Sequence, residues 1–156
     1  MWQRTLHSSS FKCDQGRKYN FVSIKEYGNG SQNFGAKVTP LELASALEKD
    51  NKQAITIVNG ITTSDETLKC EIEDVKAWSH LGLYFAKKIR AAVAVNQNKK
   101  SLAIGYITDA RQHWRDLVTV TDEHIQPSHL AITEEDFHWK NYQDAVDADV
   151  NWVKTQ

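Results

Sequence analysis

One stretch, residues 63–98, constrains the fold more than any other part of this chain. It contains no proline, and Gly82 is the one residue in it that strongly disfavours a helix. At 1.5 Å per residue such a helix would be roughly 50 Å long. Its apolar or small residues recur at alternating spacings of four and three, as in a helix that packs along its whole length against others. They are Leu68, Ile72, Val75, Ser79, Gly82, Ala86, Ile89 and Val93. The stretch predicts the central helix of an all-helical bundle.

A shorter helix is predicted before it. Thr39, Pro40 and Glu42 combine an N-cap, a proline at the first helical position and a capping-box acid, and Gly60 ends the pattern. Residues 63–66 form a second capping box, which would begin the central helix at its threonine. The predicted buried positions of the shorter helix are Leu43, Leu47, Ala54, Ile57 and Ile61.

Two helices are predicted after the central one. The first covers about 101–121, and 122–132 is a loop that contains Pro127. The last begins at Thr133, with Asp136 at the capping-box position. The buried stripe of the first is Ala103, Ile107, Ala110, Trp114, Leu117 and Thr121; that of the last is Trp139, Val146, Val150 and Val153. The fold class is therefore all-α: an up-down antiparallel four-helix bundle with a long central helix.

The N-terminal segment differs from the rest. Residues 1–37 hold four of the seven glycines among serines, asparagines and glutamines, and only 19–24 has the pattern of a strand or extended strap. We therefore divide the chain into an extended segment, 1–37, and a helical domain, 38–156.

Composition excludes some function classes. The chain has 156 residues, is 40% hydrophobic and 25% charged, and carries a net charge of −1. The near-neutral charge gives no field for nucleic acid, and no run of about 18 apolar residues predicts a membrane span. The first ten residues lack the apolar core of a signal peptide. Two cysteines, Cys13 and Cys70, allow one disulfide or two free thiols.

No catalytic, metal or cofactor site is predicted. The nucleophile-elbow and phosphate-loop motifs are missing from the sequence. Glu135 and His138 have the spacing of di-iron helical bundles, but those need two such motifs and two further glutamates. Asp109 and His113 share one helix face without completing that set.

Several segments resemble a helical domain of large bacterial proteins that are themselves similar to secreted glycoside hydrolases. The segments are 38–44, 74–92, 137–139 and 146–150, with 23–27 similar to the stretch that follows the catalytic part. The resemblance implies a non-catalytic accessory domain that supports the catalytic domain of its parent protein and contacts polysaccharide. It also implies an extracellular or periplasmic location, with the signal outside this sequence. The parent's catalytic carboxylates would lie upstream of these residues.

Exposed aromatic rings would make the sugar contacts. The predicted carbohydrate-binding residues are Tyr84, Trp152, Tyr142, Trp139 and His138. The alternative hypothesis is a helical protein–protein interaction module without a carbohydrate role, and a small-ligand or metal-binding bundle is the third. Inside the bundle, we expect the Trp114 indole to pack over Gly82 and Ala86, since small residues make room for a large one opposite.

Overall fold

The computed structural model describes residues 20–30, 33–124, 128–130 and 135–156. In this part of the chain, five α-helices form an all-α bundle, as the sequence predicts. They are α1 (Ile24–Gly28), α2 (Pro40–Asn59), α3 (Glu66–Asn96), α4 (Lys100–His124) and α5 (Gln143–Thr155). Two three-residue strands, β1 (Ser128–Leu130) and β2 (Glu135–Phe137), pair antiparallel, and a 3₁₀ turn (Trp139–Tyr142) leads into α5.

Helix α3 is the central element. It packs extensively against α4 on one flank and α2 on the other, while α5 packs mainly against α4. The predicted stripe of α4 is confirmed, because all six of its residues are buried. Val146, Val150 and Val153 of α5 are likewise buried. The core therefore lies between α3, α4 and α5.

The start of α2 is as predicted. Thr39 caps it, its hydroxyl accepting from the Glu42 N–H at 3.3 Å, and the Glu42 carboxylate accepts from the Thr39 N–H at 2.8 Å. The start of α3 is not. Asp65 is its N-cap, because one carboxylate oxygen accepts from both Thr67 and Leu68 N–H groups, and the Thr63 hydroxyl instead accepts from the Asp65 N–H.

Part of the predicted α2–α3 seam is wrong. Ile57, Ile61, Leu68 and Val75 are exposed, whereas Ala44 and Val58 form the buried line of α2. The contacts of Asn51 with Gly82 and of Glu48 with Arg90 orient α2 on α3. Polar contacts of this kind cannot be predicted from hydrophobic periodicity.

The predicted start of the last helix is too early in the sequence. Thr133 lies outside the described residues, but 135–137 forms β2 and 139–142 the 3₁₀ turn, so the α-helix begins only at Gln143. The His138 side chain caps the 3₁₀ turn, its Nδ1 accepting from the Lys140 N–H at 3.1 Å. Ring contacts of Phe137 and Trp139 hold this turn against the core.

The described part of the N-terminal segment lies against the bundle. Val38 pairs with Phe21 in an isolated parallel bridge, and the Val22 side chain is buried. Helix α1 packs against α3, where Gly28 approaches Asn96 so closely that a Cβ would overlap the asparagine side chain. Residues 1–19, which include Cys13, lie outside the described residues, and Cys70 is exposed on α3.

Candidate functional site

A buried ion pair joins α3 to α5. Lys88 Nζ lies 2.6 Å from Asp149 Oδ2 and 3.0 Å from the Tyr84 hydroxyl oxygen, and all three side chains are buried. Burial alone would lower the pKa of Lys88, but its interactions with Tyr84 and Asp149 outweigh burial and raise that pKa. Burial also raises the pKa of the Tyr84 hydroxyl. At neutral pH the group is thus a lysine cation held by a carboxylate and a phenol.

The cavity beside this group is small. It is lined by aromatic and apolar groups together with the Asp149 carboxylate, and its volume of about 10 Å³ is room for about one water molecule. The lining residues are Tyr84, Trp114, Tyr142, Ala145, Val146 and Asp149. No sugar ring fits inside it.

Three of the predicted carbohydrate-binding residues lie in one ring cluster. Trp114 contacts Tyr84 and Trp139, at centroid distances of 5.0 and 5.7 Å, and Phe137 contacts Trp139 and Tyr142, at 5.0 and 5.9 Å. Tyr84 is only 3% exposed, whereas Tyr142 is 38% exposed. Of these rings, Tyr142 is therefore the most accessible.

The other two predicted residues have different surroundings. His138 is buried, with Nε2 3.3 Å from Asp122 Oδ1, so its ring is not presented to solvent. Trp152 is partly buried and packs against the core. Their carbohydrate contacts, like those of the ring cluster, stay predictions.

Gly82 faces α2 and not α4. A Cβ there would collide with the side chain of Asn51, whose Nδ2 donates to the Leu47 carbonyl at 2.8 Å. The expectation that Trp114 packs over Gly82 is thus wrong. Trp114 instead contacts Tyr84, on another face of α3.

Charged side chains form a polar seam where α2, α3 and α4 meet. Both guanidinium contacts of Arg90 with Glu48 are short, at 2.8 and 3.1 Å. Lys87 Nζ lies 3.3 Å from both Glu48 and Asp109. Burial alone would raise the pKa of Glu48, but Arg90 and Lys87 outweigh it and lower that pKa.

A histidine cluster lies between α3 and α4. His80 Nδ1 is 3.7 Å and His113 Nδ1 is 3.8 Å from Asp116 Oδ2. The imidazole centroids are 6.0 Å apart. His113 shares a helix face with Asp109 in the sequence pattern, but Asp109 contacts Lys87. Two features of the sequence could have predicted this cluster. His113 and Asp116 are one helical turn apart, and antiparallel packing of α3 against α4 brings His80 to their height along the bundle.

The opposite side of the α2–α3 pair is apolar and exposed. On α2, Glu48 and Ile57 project from opposite sides of the helix, and on α3 Lys87 and Trp78 do the same. Since Glu48 and Lys87 touch, Ile57 and Trp78 both point away from the polar seam. We call this surface the hairpin face: Ile57, Ile61, Leu68, Val75 and Trp78, all exposed, with Trp78 the most exposed at 65%.

Acidic side chains border the hairpin face. Glu71 and Asp74 each lie one turn before Val75 and Trp78, and Asp50 lies two turns before Ile57. All three carboxylates are exposed. The face is therefore apolar, with an acidic rim beside Ile57, Val75 and Trp78, while Ile61 lines a surface pocket that also includes Lys69 and Lys76.

Comparisons with known proteins identify no relative of this chain. No protein family, curated protein or solved structure matches the chain. None of the described helices has both the length and the apolar character needed to cross a membrane.

Proposed function

We propose that this chain is a non-catalytic helical interaction module that docks on another protein through the hairpin face. The exposure of five large apolar side chains on the α2–α3 hairpin, with Trp78 the most exposed, is the observation that carries this proposal. Contiguous exposed apolar surface on a globular domain marks a binding surface, and tryptophan is enriched at the energetic centres of interfaces.

The rim indicates the chemistry of the partner. Asp50, Glu71 and Asp74 border the apolar stripe, while the basic residues Lys87 and Arg90 lie on the opposite side in ion pairs. The matching surface is an apolar patch of a folded protein with lysine or arginine at its edge. Through the resemblance to glycoside-hydrolase-like proteins, we propose that this surface belongs to a bacterial extracellular or periplasmic catalytic domain.

The charged groups support a non-catalytic role. Asp149 pairs with Lys88 and Glu48 with Arg90, so both carboxylates neutralise fixed cations of a neighbouring helix. The cavity next to Asp149 admits about one water molecule.

Photo-crosslinking in the producing organism tests the docking surface. Benzoylphenylalanine replaces Trp78 in one variant and Leu102, an exposed apolar residue on α4, in the control. We expect one protein adduct from position 78 and none from position 102. The adduct should weaken at least tenfold when Asp50, Glu71 and Asp74 are replaced by lysine, and its crosslinked peptide should contain basic residues.

Three outcomes would contradict the proposal. They are equal adducts from positions 78 and 102, an adduct insensitive to charge reversal, and a self-adduct, which would make the hairpin face a contact between two copies of this chain.

Polysaccharide contact is the second candidate function, and the exposed Tyr142 ring beside Phe137 favours it. Flat aromatic faces stack on sugar rings, and two further tryptophans, Trp139 in the 3₁₀ turn and Trp152 on α5, are only partly buried. Titration with soluble plant or algal polysaccharides tests this role. Tyr142→Ala should abolish binding and Trp78→Ala should leave it unchanged; absence of binding by the parent chain would remove the carbohydrate role.

A further inference from the structure

The histidine cluster has the geometry of a small coordination site. His80 comes from the middle of α3, and His113 and Asp116 lie one turn apart on α4. One ligand atom from each residue lies within 4.8 Å of the others. Tetrahedral ligands at 2.0–2.1 Å from a metal are about 3.3–3.4 Å apart, so the observed 3.7 and 3.8 Å separations need only a slight contraction.

Two buried nitrogen atoms of the cluster have no hydrogen-bond partner. They are Nδ1 of His80 and Nδ1 of His113, and both are enclosed although each ring has one accessible edge. Buried polar atoms in folded proteins are nearly always paired, so each exception calls for an explanation. Both nitrogens lie on the same side of the cluster, towards Asp116 Oδ2. A cation between the three atoms would satisfy all of them.

The Asp116 carboxylate is oriented by a neighbour. Gln112 Nε2 donates to Asp116 Oδ1 at 2.9 Å, which leaves Oδ2 directed at the imidazoles. This matches metal centres in which a second hydrogen-bonded residue fixes the orientation of a coordinating group. The contact assigns Gln112 a positioning role.

Coordination uses the neutral imidazole, whose Nδ1 offers a lone pair to a cation when the ring proton is on Nε2.

We propose that His80, His113 and Asp116 form a binding site for a divalent first-row transition metal of the Zn²⁺ class. Two imidazole nitrogens and one carboxylate oxygen suit such an ion, whereas Mg²⁺ and Ca²⁺ prefer all-oxygen sets. A site with three protein ligands leaves a fourth position, which water would fill. Because the site lies between α3 and α4, away from the hairpin face, it is independent of the docking surface.

Calorimetric titration of the full chain with Zn²⁺, after treatment with a chelator, tests the site. We expect one equivalent to bind. Asp116→Asn should weaken binding 10–100-fold, and His113→Ala at least as much. Asp109→Asn is the matched control, since Asp109 is one turn before His113 on α4 but contacts Lys87, and it should bind like the parent.

A spectroscopic readout separates coordination from loss of fold. Co²⁺ substitution should give the intense visible absorption of a four-coordinate ion, lost in Asp116→Asn while circular dichroism stays that of the parent. Nitrogen NMR should show the shift of a coordinated Nδ1 for His80 and His113. Gln112→Ala should weaken binding several-fold without changing the number of ions bound.

Three results would overturn the proposal. The first is the absence of saturable binding with the parent chain. The second is binding that persists in Asp116→Asn and disappears in Cys70→Ser, which would place the ion at the exposed thiol. The third is unchanged His80 and His113 signals at saturating Zn²⁺, which would leave the cluster a metal-free polar contact.

Discussion

Different kinds of interaction stabilise the two flanks of α3. Its contact with α4 and α5 is mostly apolar, with Trp114 and Leu117 buried and the Lys88–Asp149 pair enclosed among them. The Lys87–Asp109 contact and the histidine cluster also lie between α3 and α4. On the α2 side, charged and amide groups lie beside the buried Ala44 and Val58, with Glu48 between Arg90 and Lys87 and Asn51 against Gly82. The first flank depends on exclusion of water, and the second tolerates it. Substitutions should therefore have graded effects across the molecule.

Breaking the enclosed pair should have the largest effect. Asp149→Asn leaves the Lys88 cation buried without its counter-charge, and we expect a loss of about 3–5 kcal/mol in the free energy of unfolding. Urea denaturation measures it, with Asp144→Asn, exposed on the same helix, as the control. Replacing both partners, as Lys88→Met with Asp149→Leu, should recover most of the loss; failure to recover would show that the charge pair itself stabilises the flank.

The same pair should make the fold sensitive to alkali. The pKa of Lys88 is raised above its ordinary value of 10.5 on folding, so its contribution is complete below that pH and is lost as the pH rises towards the folded pKa. Tyr84, raised from 10.0, acts in the same direction. The double variant Lys88→Met/Asp149→Leu should lose less stability than the parent between neutral pH and pH 11. Parallel stability–pH curves would rule out this linkage.

Overpacking at Gly82 tests the α2 contact. Gly82→Leu should displace Asn51 and destabilise the fold by about 1–3 kcal/mol. The pair Gly82→Ala/Asn51→Ala should be at least as stable as the parent, because alanine in place of glycine favours a helix by about 1 kcal/mol. An unchanged melting temperature for Gly82→Leu would mean that α2 does not lie over Gly82.

Loss of the Glu48 charge should have a smaller effect on stability, and this effect should depend on pH. We expect Glu48→Gln to cost about 1 kcal/mol at pH 7, as for a partly accessible ion pair. Because the pKa of Glu48 is lowered from 4.5, its contribution is present above that pH and is lost as the pH falls below it. Parent and variant should thus converge in stability as the pH falls from 4.5 through the lowered pKa of Glu48. A stability difference that stays constant throughout acid titration would contradict this assignment.

Changes on the hairpin face should have the smallest effect on stability. Ile57→Ser and Trp78→Ser remove side chains that already face solvent, so we expect changes within about 0.5 kcal/mol. Thermal unfolding of both variants checks this. A loss above 2 kcal/mol would show that the face is covered within this chain and is not open to a partner.

The same contrast explains what the sequence could predict. The α4 stripe from Ala103 to Thr121 was predicted completely, because a flank held by apolar burial appears directly as hydrophobic periodicity. The rotation of α2 was predicted wrongly. It is set by Asn51 on Gly82 and Glu48 on Arg90, and such polar contacts leave no periodic signal.

The remaining misses come from contacts between distant residues. Capping chemistry favoured a helix start at Thr133, but strand pairing and the rings of Phe137 and Trp139 prevail over local propensity in that region. In the histidine cluster, His80 and Asp116 become neighbours only through the side-by-side packing of α3 and α4. Each residue alone has no distinctive sequence context.

The buried pair also bears on the order in which the chain assembles. Helices α3 and α4 are joined by a short connection, so their contacts close a small loop and can form early at little entropic cost. Lys88 has its carboxylate only when α5 has also docked, at the far end of a much longer loop. Before α5 docks, the Lys88 ammonium group stays hydrated and one side of the α3–α4 pair stays exposed to water. Docking of α5 therefore couples the dehydration of one cation to the burial of three valines.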